Sequence, residues 1–255
     1  MKIATWNVNS LSVRLPHVTE WLASAKPDVL VLQEIKQVTE AFPADAFREL
    51  SYQTVANGQK TYNGVANIAR RPLTNAVVEI PGLDDPQRRV LATTVDGVRI
   101  VNLYVPNGQS VGSDKYTYKL EWLAALRGWL TEELAQHQSL VVLGDFNIAP
   151  ADRDVYDPEK WGEDVLCSPA ERAALDELIG LGLVDVFRQF DQPDATFSWW
   201  DYRAAGFRRN AGLRIDLILA SKSLADKCTA SYVDREPRTW ERPSDHTPVI
   251  AEFDM

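Results

Sequence analysis

Cysteine and histidine are scarce in this chain: two of the one and three of the other in 255 residues. Cys167 and Cys228 form no disulfide framework, which fits a reducing cytoplasm. Neither residue type shows the close spacing of a zinc site. No uninterrupted apolar run approaches the roughly 20 residues that span a bilayer. The N-terminal stretch Met-Lys-Ile-Ala-Thr-Trp-Asn lacks the apolar core of a signal peptide. A cytoplasmic location without membrane contact is therefore expected. There is no P-loop to support nucleotide-driven phosphoryl transfer, and no Gly-x-Ser-x-Gly elbow for acyl transfer. Linkers, low-complexity tracts and short repeats are also missing, so residues 1–255 are expected to form a single domain.

What is present is ordinary for a globular protein: 45% apolar and 25% charged residues, with eight Trp, eight Tyr and eight Phe. The charge is lopsided. Thirty-six acids against 27 bases give a formal net charge of -9. Taken as a whole this opposes nucleic acid, whose affinity comes largely from cationic side chains displacing counterions. A site, however, responds to its local field, so the placement of the acids matters more than their sum.

Short runs rich in β-branched residues predict strands at Lys2–Trp6, Asp28–Leu32, Val65–Ala69, Ala76–Ile80, Val90–Val95, Val98–Val105, Leu140–Leu143, Leu213–Leu219 and Val249–Phe253. Asp96-Gly97 marks a two-residue hairpin turn. Val29–Leu32 and Leu140–Leu143 are apolar throughout, as in strands buried on both faces. Apolar residues at 120, 123, 126, 130 and 134 predict a helix over Tyr118–Ala135. Further helices are predicted over Pro169–Leu181, with Ser168 as N-cap and Gly182 as a stop, and over Leu15–Ala25, with Pro16 in the first turn. Buried strands alternating with helices imply an α/β fold of mixed sheets covered by helices. A faint two-fold echo relates Trp6-Asn7-Val8-Asn9 to Gly144-Asp145-Phe146-Asn147.

The informative polar residues lie at strand ends, where ligand sites of α/β sheets collect. Asn7, Glu34, Asp145 with Asn147, Asp216, and Asp245-His246 come from five distant segments. Singly, Glu34 suits a solvated strand end and Gly144–Asn147 a tight turn. Asp216, between Ile215 and Leu217, needs a partner, because an unpaired buried carboxylate costs several kcal/mol. His17 and His137 suit solvated helix faces. Carboxylate and amide oxygens favour a hard ion such as Mg²⁺ or Mn²⁺. A hard metal with a carboxylate base and an imidazole suits phosphoester hydrolysis.

Seven motifs in order extend this along the chain: Trp6–Ser10, Leu32-Gln33-Glu34, Tyr104-Val105-Pro106-Asn107-Gly108, Leu143–Pro150, Phe197–Arg203, Gly212–Asp216 and Ser244–Pro248. With them the chain resembles the exonuclease III family of DNA repair nucleases (AP endonuclease and exodeoxyribonuclease III), within the endonuclease/exonuclease/phosphatase superfamily. The resemblance implies a four-layer α/β sandwich of the DNase I-like kind, with two packed mixed β-sheets flanked by helices. It also implies site roles. Glu34 corresponds to the main metal ligand, with Asn7 and Asp245 nearby; the metal would be Mg²⁺, with Mn²⁺ able to substitute. Asp145 corresponds to the residue that positions or deprotonates the attacking water, and Asn147 to the one that orients it. His246 matches the phosphate-contacting imidazole, Asp216 its carboxylate partner, Tyr104 a phosphate-side tyrosine and Asn107 a phosphate-contacting amide.

The implied substrate is double-stranded DNA with abasic or blocked 3′ sites, handled by a monomer. It would be cut 5′ to the abasic site, trimmed 3′ to 5′, or freed of a 3′-phosphate. Arg203, Arg208, Arg209 and Arg214 fall between Asp201 and Asp216 with no intervening acid, as expected of a local DNA contact. Arg88, Arg89, Lys115 and Lys119 are further candidates. Trp199 and Leu213 align with the family pocket for a base-free sugar, whereas Trp200 suits core packing. The loop Asp152–Ser168, with Gly162 and Leu166, is expected to shape lesion choice. Two rivals stand beside this reading. One is an inactive RNA-binding regulator, which would be expected to lack several site acids. The other is a small-molecule phosphatase, which the Arg-rich segment disfavours.

Overall fold

The computed structural model describes residues 1–255. Its strands are β1 (Lys2–Asn7), β2 (Val29–Gln33), β3 (Gln53–Asn57), β4 (Val65–Ala69), β5 (Thr74–Val77), β6 (Val90–Val95), β7 (Val98–Tyr104), β8 (Leu140–Asp145), β9 (Leu183–Asp185), β10 (Trp199–Trp200), β11 (Gly212–Leu213), β12 (Asp216–Ser221), β13 (Cys228–Val233) and β14 (Val249–Phe253). The α-helices are α1 (Leu11–Ala25), α2 (Ala44–Arg48), α3 (Asp114–Gln136), α4 (Pro158–Trp161), α5 (Pro169–Ile179) and α6 (Lys222–Ala225). Two six-stranded mixed sheets form, in the orders β13-β14-β1-β2-β4-β3 and β5-β6-β7-β8-β12-β9. A separate two-stranded ribbon joins β10 to β11.

Strand alternation builds the layers. In β2, Val29 and Val31 belong to the apolar slab between the sheets, while Leu30 and Leu32 face α1. In β8, Val141 and Leu143 enter the same slab, while Leu140 and Val142 meet Trp122, Leu126 and Leu130 of α3. The result is helix, sheet, sheet, helix: a four-layer α/β sandwich. Each sheet has one parallel pair, β1 with β2 and β7 with β8, flanked by antiparallel strands.

The inward faces change character along the strands. Ile3, Val29, Ile100 and Val141 are apolar. Further on come Thr5, Gln33, Asn67, Thr93 and Asn102, all fully buried. These five form a ladder across the gap. The Gln33 amide nitrogen donates to Thr5 Oγ1 (3.0 Å) and Asn102 Oδ1 (2.8 Å). Asn102 Nδ2 donates to the Leu32 and Ala66 carbonyls and to Asn67 Oδ1, and Asn67 Nδ2 donates to Thr93 Oγ1. Last on these faces come Asn7, Tyr104 and Asp145.

Several elements depart from the sequence expectation. The run Leu213–Leu219 is split, because Arg214 turns inward to Asp154 and Asp185 and Leu213 pairs with Trp199. The strand expected over Ala76–Ile80 lies at Thr74–Val77, where its register to β6 is irregular. α1 begins at Leu11, so Pro16 lies within the helix rather than in its first turn. α5 ends at Ile179, capped by Gly180, ahead of Gly182; its Ser168 cap stands, completed by Glu171 as a capping box. Asp96 and Gly97 both have positive φ, as the hairpin turn requires. β3, β9, β10 and β13 are short or half-exposed and carried no pattern strong enough to predict.

The ladder generates a stability prediction. Asn102→Leu removes the acceptor of one Gln33 N–H bond and the donor to Asn67 Oδ1 and to the Leu32 and Ala66 carbonyls, a loss of about 3 kcal/mol. For a chain of this size the Tm should fall by roughly 10 °C. Calorimetry measures the shift, and an unchanged Tm would remove the ladder from any role in stability.

Candidate active site

The strand ends meet at one edge of the inter-sheet gap. Asn7 closes β1 and Asp145 closes β8, and Asn7 Nδ2 donates to Asp145 Oδ2 at 2.9 Å. The same nitrogen donates to Glu34 Oε1, also at 2.9 Å. The sequence echo is structural. The backbone N–H of Asn9 donates to Asn7 Oδ1 (3.0 Å), and that of Asn147 donates to Asp145 Oδ1 (2.9 Å). Both are Asx turns whose second asparagine is left-handed, with φ 43° at Asn9 and 50° at Asn147. Gly144 lets β8 run this close to β7: its φ is 146°, and an added Cβ would lie 1.9 Å from the Leu103 carbonyl oxygen.

Asp216 opens β12 directly opposite Asp145. Its Oδ2 lies 2.9 Å from His246 Nδ1 and accepts from Ser198 Oγ at 2.6 Å. His246 Nε2 lies 3.6 Å from Asp145 Oδ2. Burial alone would drive the imidazolium to release its proton. The Asp216 and Asp145 carboxylates outweigh it and raise the His246 pKa from 6.5 to about 10. Asp145 moves upward too, to about 7, because burial and the Asp216 charge outweigh His246 and the bonds from Asn7 and Asn147. Burial, reinforced by Glu34 and Asp145, keeps the Tyr104 phenol protonated.

Glu34, in a left-handed conformation, pairs with Lys36 at 2.9 Å. Lys36 also donates to Asn9 Oδ1, and Asn9 Nδ2 donates to Asp245 Oδ1 at 2.9 Å. Trp199 Nε1 holds the other Asp245 oxygen at 3.1 Å. Asn107 Nδ2 donates to Asn147 Oδ1, and the Arg89 guanidinium stacks 4.7 Å over Tyr104 while donating to its carbonyl. Asn7, Glu34, Tyr104, Asn107, Asp145, Asn147, Asp216, Asp245 and His246 thus form one connected cluster, with Arg89 and Trp199 at its margin. Asn9, Lys36 and Ser198 belong to it as well. Asn9 lay within a quoted motif. Ser198 did too, within Phe197–Arg203, though no role was read for it; Lys36 had no signal, since a loop lysine is commonplace.

A match to the endonuclease/exonuclease/phosphatase family covers residues 4–246. Exodeoxyribonuclease III of Haemophilus influenzae is 36% identical over 99% of this chain and 100% of its own. The chain belongs to the exonuclease III branch of the endonuclease/exonuclease/phosphatase family. Among solved structures, the 3′ phosphatase NExo from Neisseria bound to a product DNA hairpin superposes with a TM-score of 0.98 at 52% identity. An AP endonuclease from Archaeoglobus fulgidus superposes with a TM-score of 0.96 at 36% identity. Each of these two similarities covers the whole of both chains.

For a member of this family, fit to a hard cation is the next test. Within the cluster Glu34, Asp145, Asp216 and Asp245 meet Lys36 and the His246 imidazolium, with Arg89 at the margin and Arg238 acting on Asp245, so acids outnumber the cations inside it. Glu34 and Asp245 offer carboxylate oxygens, as Mg²⁺ prefers, and Asn7 carries an amide oxygen, here engaged by the Asn9 N–H while its nitrogen faces Glu34. Asp145, Asp216 and His246 also lie close enough to hold an ion, all within 4.8 Å. Their mutual bonds and the protonated imidazole, which has no free lone pair, make that trio a poorer host.

Several residues that the resemblance or the local charge pattern singled out are positioned differently by the structure. Leu213 is fully buried, in a cluster with Ala149, Val155, Leu166, Cys167 and Ile215. It therefore presents no surface to a sugar; Leu166 and Trp199 do, at a depression of about 440 Å³. Arg214 is enclosed, paired with Asp154 and Asp185. Arg203 pairs with Asp201. Lys119 is enclosed with Glu171, so it cannot reach DNA. Arg208 and Arg209 remain exposed, and Lys115 and Arg89 line a polar cavity of about 680 Å³ beside Asn107. Trp200 is fully buried, in line with core packing. His17 and His137 are half-buried rather than solvated, His17 against Trp240 and His137 beside Glu133.

The imidazole yields a pH prediction. A folded pKa above the unfolded value means that protonated His246 adds stability complete below pH 6.5 and lost as pH rises through about 10. NMR of the metal-free protein should show His246 doubly protonated from about pH 6 to 8. In Asp216→Asn the imidazole should titrate to neutral inside that window. A wild-type imidazole that titrates near 6.5 would refute the pairing.

Proposed function

We propose that the chain is a Mg²⁺-dependent DNA repair phosphodiesterase that processes 3′ ends more readily than it incises abasic sites. The observation that carries the catalytic reading is the buried Asp145, held by Asn7 and Asn147 and faced by His246. The relatives support the substrate class. Their names describe an exodeoxyribonuclease III, a 3′ phosphatase, a 3′-5′ exonuclease and AP endonucleases. The 52% identity to a 3′ phosphatase, against 36% to an AP endonuclease, supports the bias toward 3′ ends.

In this mechanism Asp145 takes a proton from the attacking water, and Asn147 orients that water. The raised Asp145 pKa suits a base working near neutral pH. His246 Nε2–H, the Tyr104 hydroxyl and the Asn107 amide donate to phosphate oxygens as charge builds in the transition state. Ser198 and Asp216 keep the imidazole charged and oriented. Asn7 and Glu34, with Asp245 nearby, would hold a hard divalent cation, which when bound would supply Lewis-acid stabilisation of the phosphoryl group. Arg208 and Arg209 offer exposed charge for the DNA backbone.

Three labelled duplexes test this: one abasic, one recessed at its 3′ end and one carrying a 3′-phosphate. Product should form with Mg²⁺ and not in EDTA, more on the 3′ substrates than on the abasic one. Asp145→Asn should lose at least roughly 1,000-fold in kcat on all three. Full activity in that variant would eliminate the proposed base. Tight RNA binding without processing of any duplex would favour the regulator instead. Arg208→Ala should weaken duplex binding and lower the salt slope by about one unit. An unchanged slope in a salt titration would remove Arg208 from the interface.

A further inference from the structure

Lys119 has no exposed surface, yet it is the third polar group at the junction of two site-bearing turns. From α3 its ammonium donates to the carbonyl oxygen of Asn107 at 3.2 Å and to that of Asn147 at 2.7 Å. Its third contact is Glu171 Oε1 of α5 at 2.5 Å. Glu171, equally enclosed, spreads the connection. Its Oε1 accepts from the Leu166 N–H at 3.1 Å, and its Oε2 from the Ser168 N–H and Oγ. The Leu166 carbonyl in turn accepts from Ala149, two residues past Asn147.

Stability alone does not account for this pair. Burying two ions costs several kcal/mol each, and apolar replacements of similar volume are often neutral or stabilising. What an apolar side chain cannot do is hold two backbone carbonyls and a carboxylate at one point. Each turn has bonds of its own, the Asn147 N–H to Asp145 Oδ1 and the Gln109 N–H to Asn107 Oδ1. Asn147 is left-handed at φ 50°, and Gly108, next to Asn107, has φ 92°. The Lys119 stem fills the space beside Gly108, where an added Cβ would lie 3.1 Å from Lys119 Cδ. Between the turns run one bond at the surface, Asn107 Nδ2 to Asn147 Oδ1 at 3.1 Å, and one buried bond, Asn147 Nδ2 to the Val105 carbonyl at 3.0 Å; neither joins the Asn107 and Asn147 carbonyls.

We propose that Lys119 is a positioning residue. Its ammonium, balanced by Glu171, sets the spacing between the Asn107 and Asn147 backbones, and through Glu171 ties it to Leu166 at the depression beside Trp199. The proposal rests on the phosphodiesterase reading, in which Asn107 meets phosphate and Asn147 meets water. A misplacement of about 1 Å at such groups can cost on the order of 100-fold in rate. Because the ammonium touches neither reactant, its loss acts on kcat rather than on KM.

The test is the paired variant Lys119→Met with Glu171→Met, which leaves no buried charge alone. On the 3′-phosphate duplex, assayed well below Tm, kcat should fall at least about tenfold with KM within about threefold of wild type; Tm should fall as well, because Glu171→Met also removes the α5 capping box. Native-state hydrogen exchange should quicken at the Gln109 and Asn147 amides, with the sheets unchanged. If that pair does not fold, Lys119→Gln with Glu171→Gln replaces it, since two amides still hydrogen-bond. A folded pair with kcat within about twofold of wild type and unchanged exchange overturns the proposal. A wild-type chain inactive on every duplex sinks the phosphodiesterase reading instead, and the exchange measurement then decides the positioning claim by itself.

Discussion

The amide ladder between the two sheets is the constraint on which the site depends. Apolar side chains pack without strict register, and a slab of Val, Ile and Leu tolerates small slides of one sheet on the other. Hydrogen bonds do not. Gln33 and Asn102 belong to opposite sheets, and their 2.8 Å bond fixes one sheet against the other within a narrow range. Glu34 directly follows Gln33, and Tyr104 lies two residues beyond Asn102 on the same face. The bond that joins the sheets is therefore one step below the groups that must face each other. A slide of one residue would break the ladder and part Asn7 from Asp145 together.

Much of the fold was legible because its central strands are apolar on both faces and its long helix carries an unbroken stripe. β1, β2, β4, β6, β7, β8 and β14 follow directly from such runs. The edge strands did not announce themselves. β3 and β13 alternate only weakly and expose much of their length. The break after Leu213 was invisible for a different reason. Arg214 looks like a surface charge in sequence, and only its pairing with Asp154, 60 residues earlier, shows why the strand turns there.

The site was legible in kind and partly in detail. Polar residues placed just past buried strands indicated a common centre, and Asp216 between apolar neighbours required a partner, which His246 provides. Positive charge was harder to judge. Among the arginines and lysines considered for DNA contact, Lys119 and Arg214 are enclosed and Arg203 is paired. A basic residue in sequence says nothing of whether its partner is phosphate or a carboxylate of the same chain. The excess of acids is also less uniform than the total of -9 suggests. Four of the acids crowd one centre, where a cation and a phosphate can meet.

The slab of Ile3, Val31, Val141, Leu143 and Ile218 also has an electrical consequence. It forms a dry, weakly polarisable backing directly behind Asp145, Asp216 and His246. Water cannot approach these charges from that side, so their field is not dissipated into the body of the protein. The unscreened direction is outward, toward the mouth of the site. The same layer that makes the sheets cohere thus acts as an insulator, and the proposed reaction site lies on its solvent-facing side.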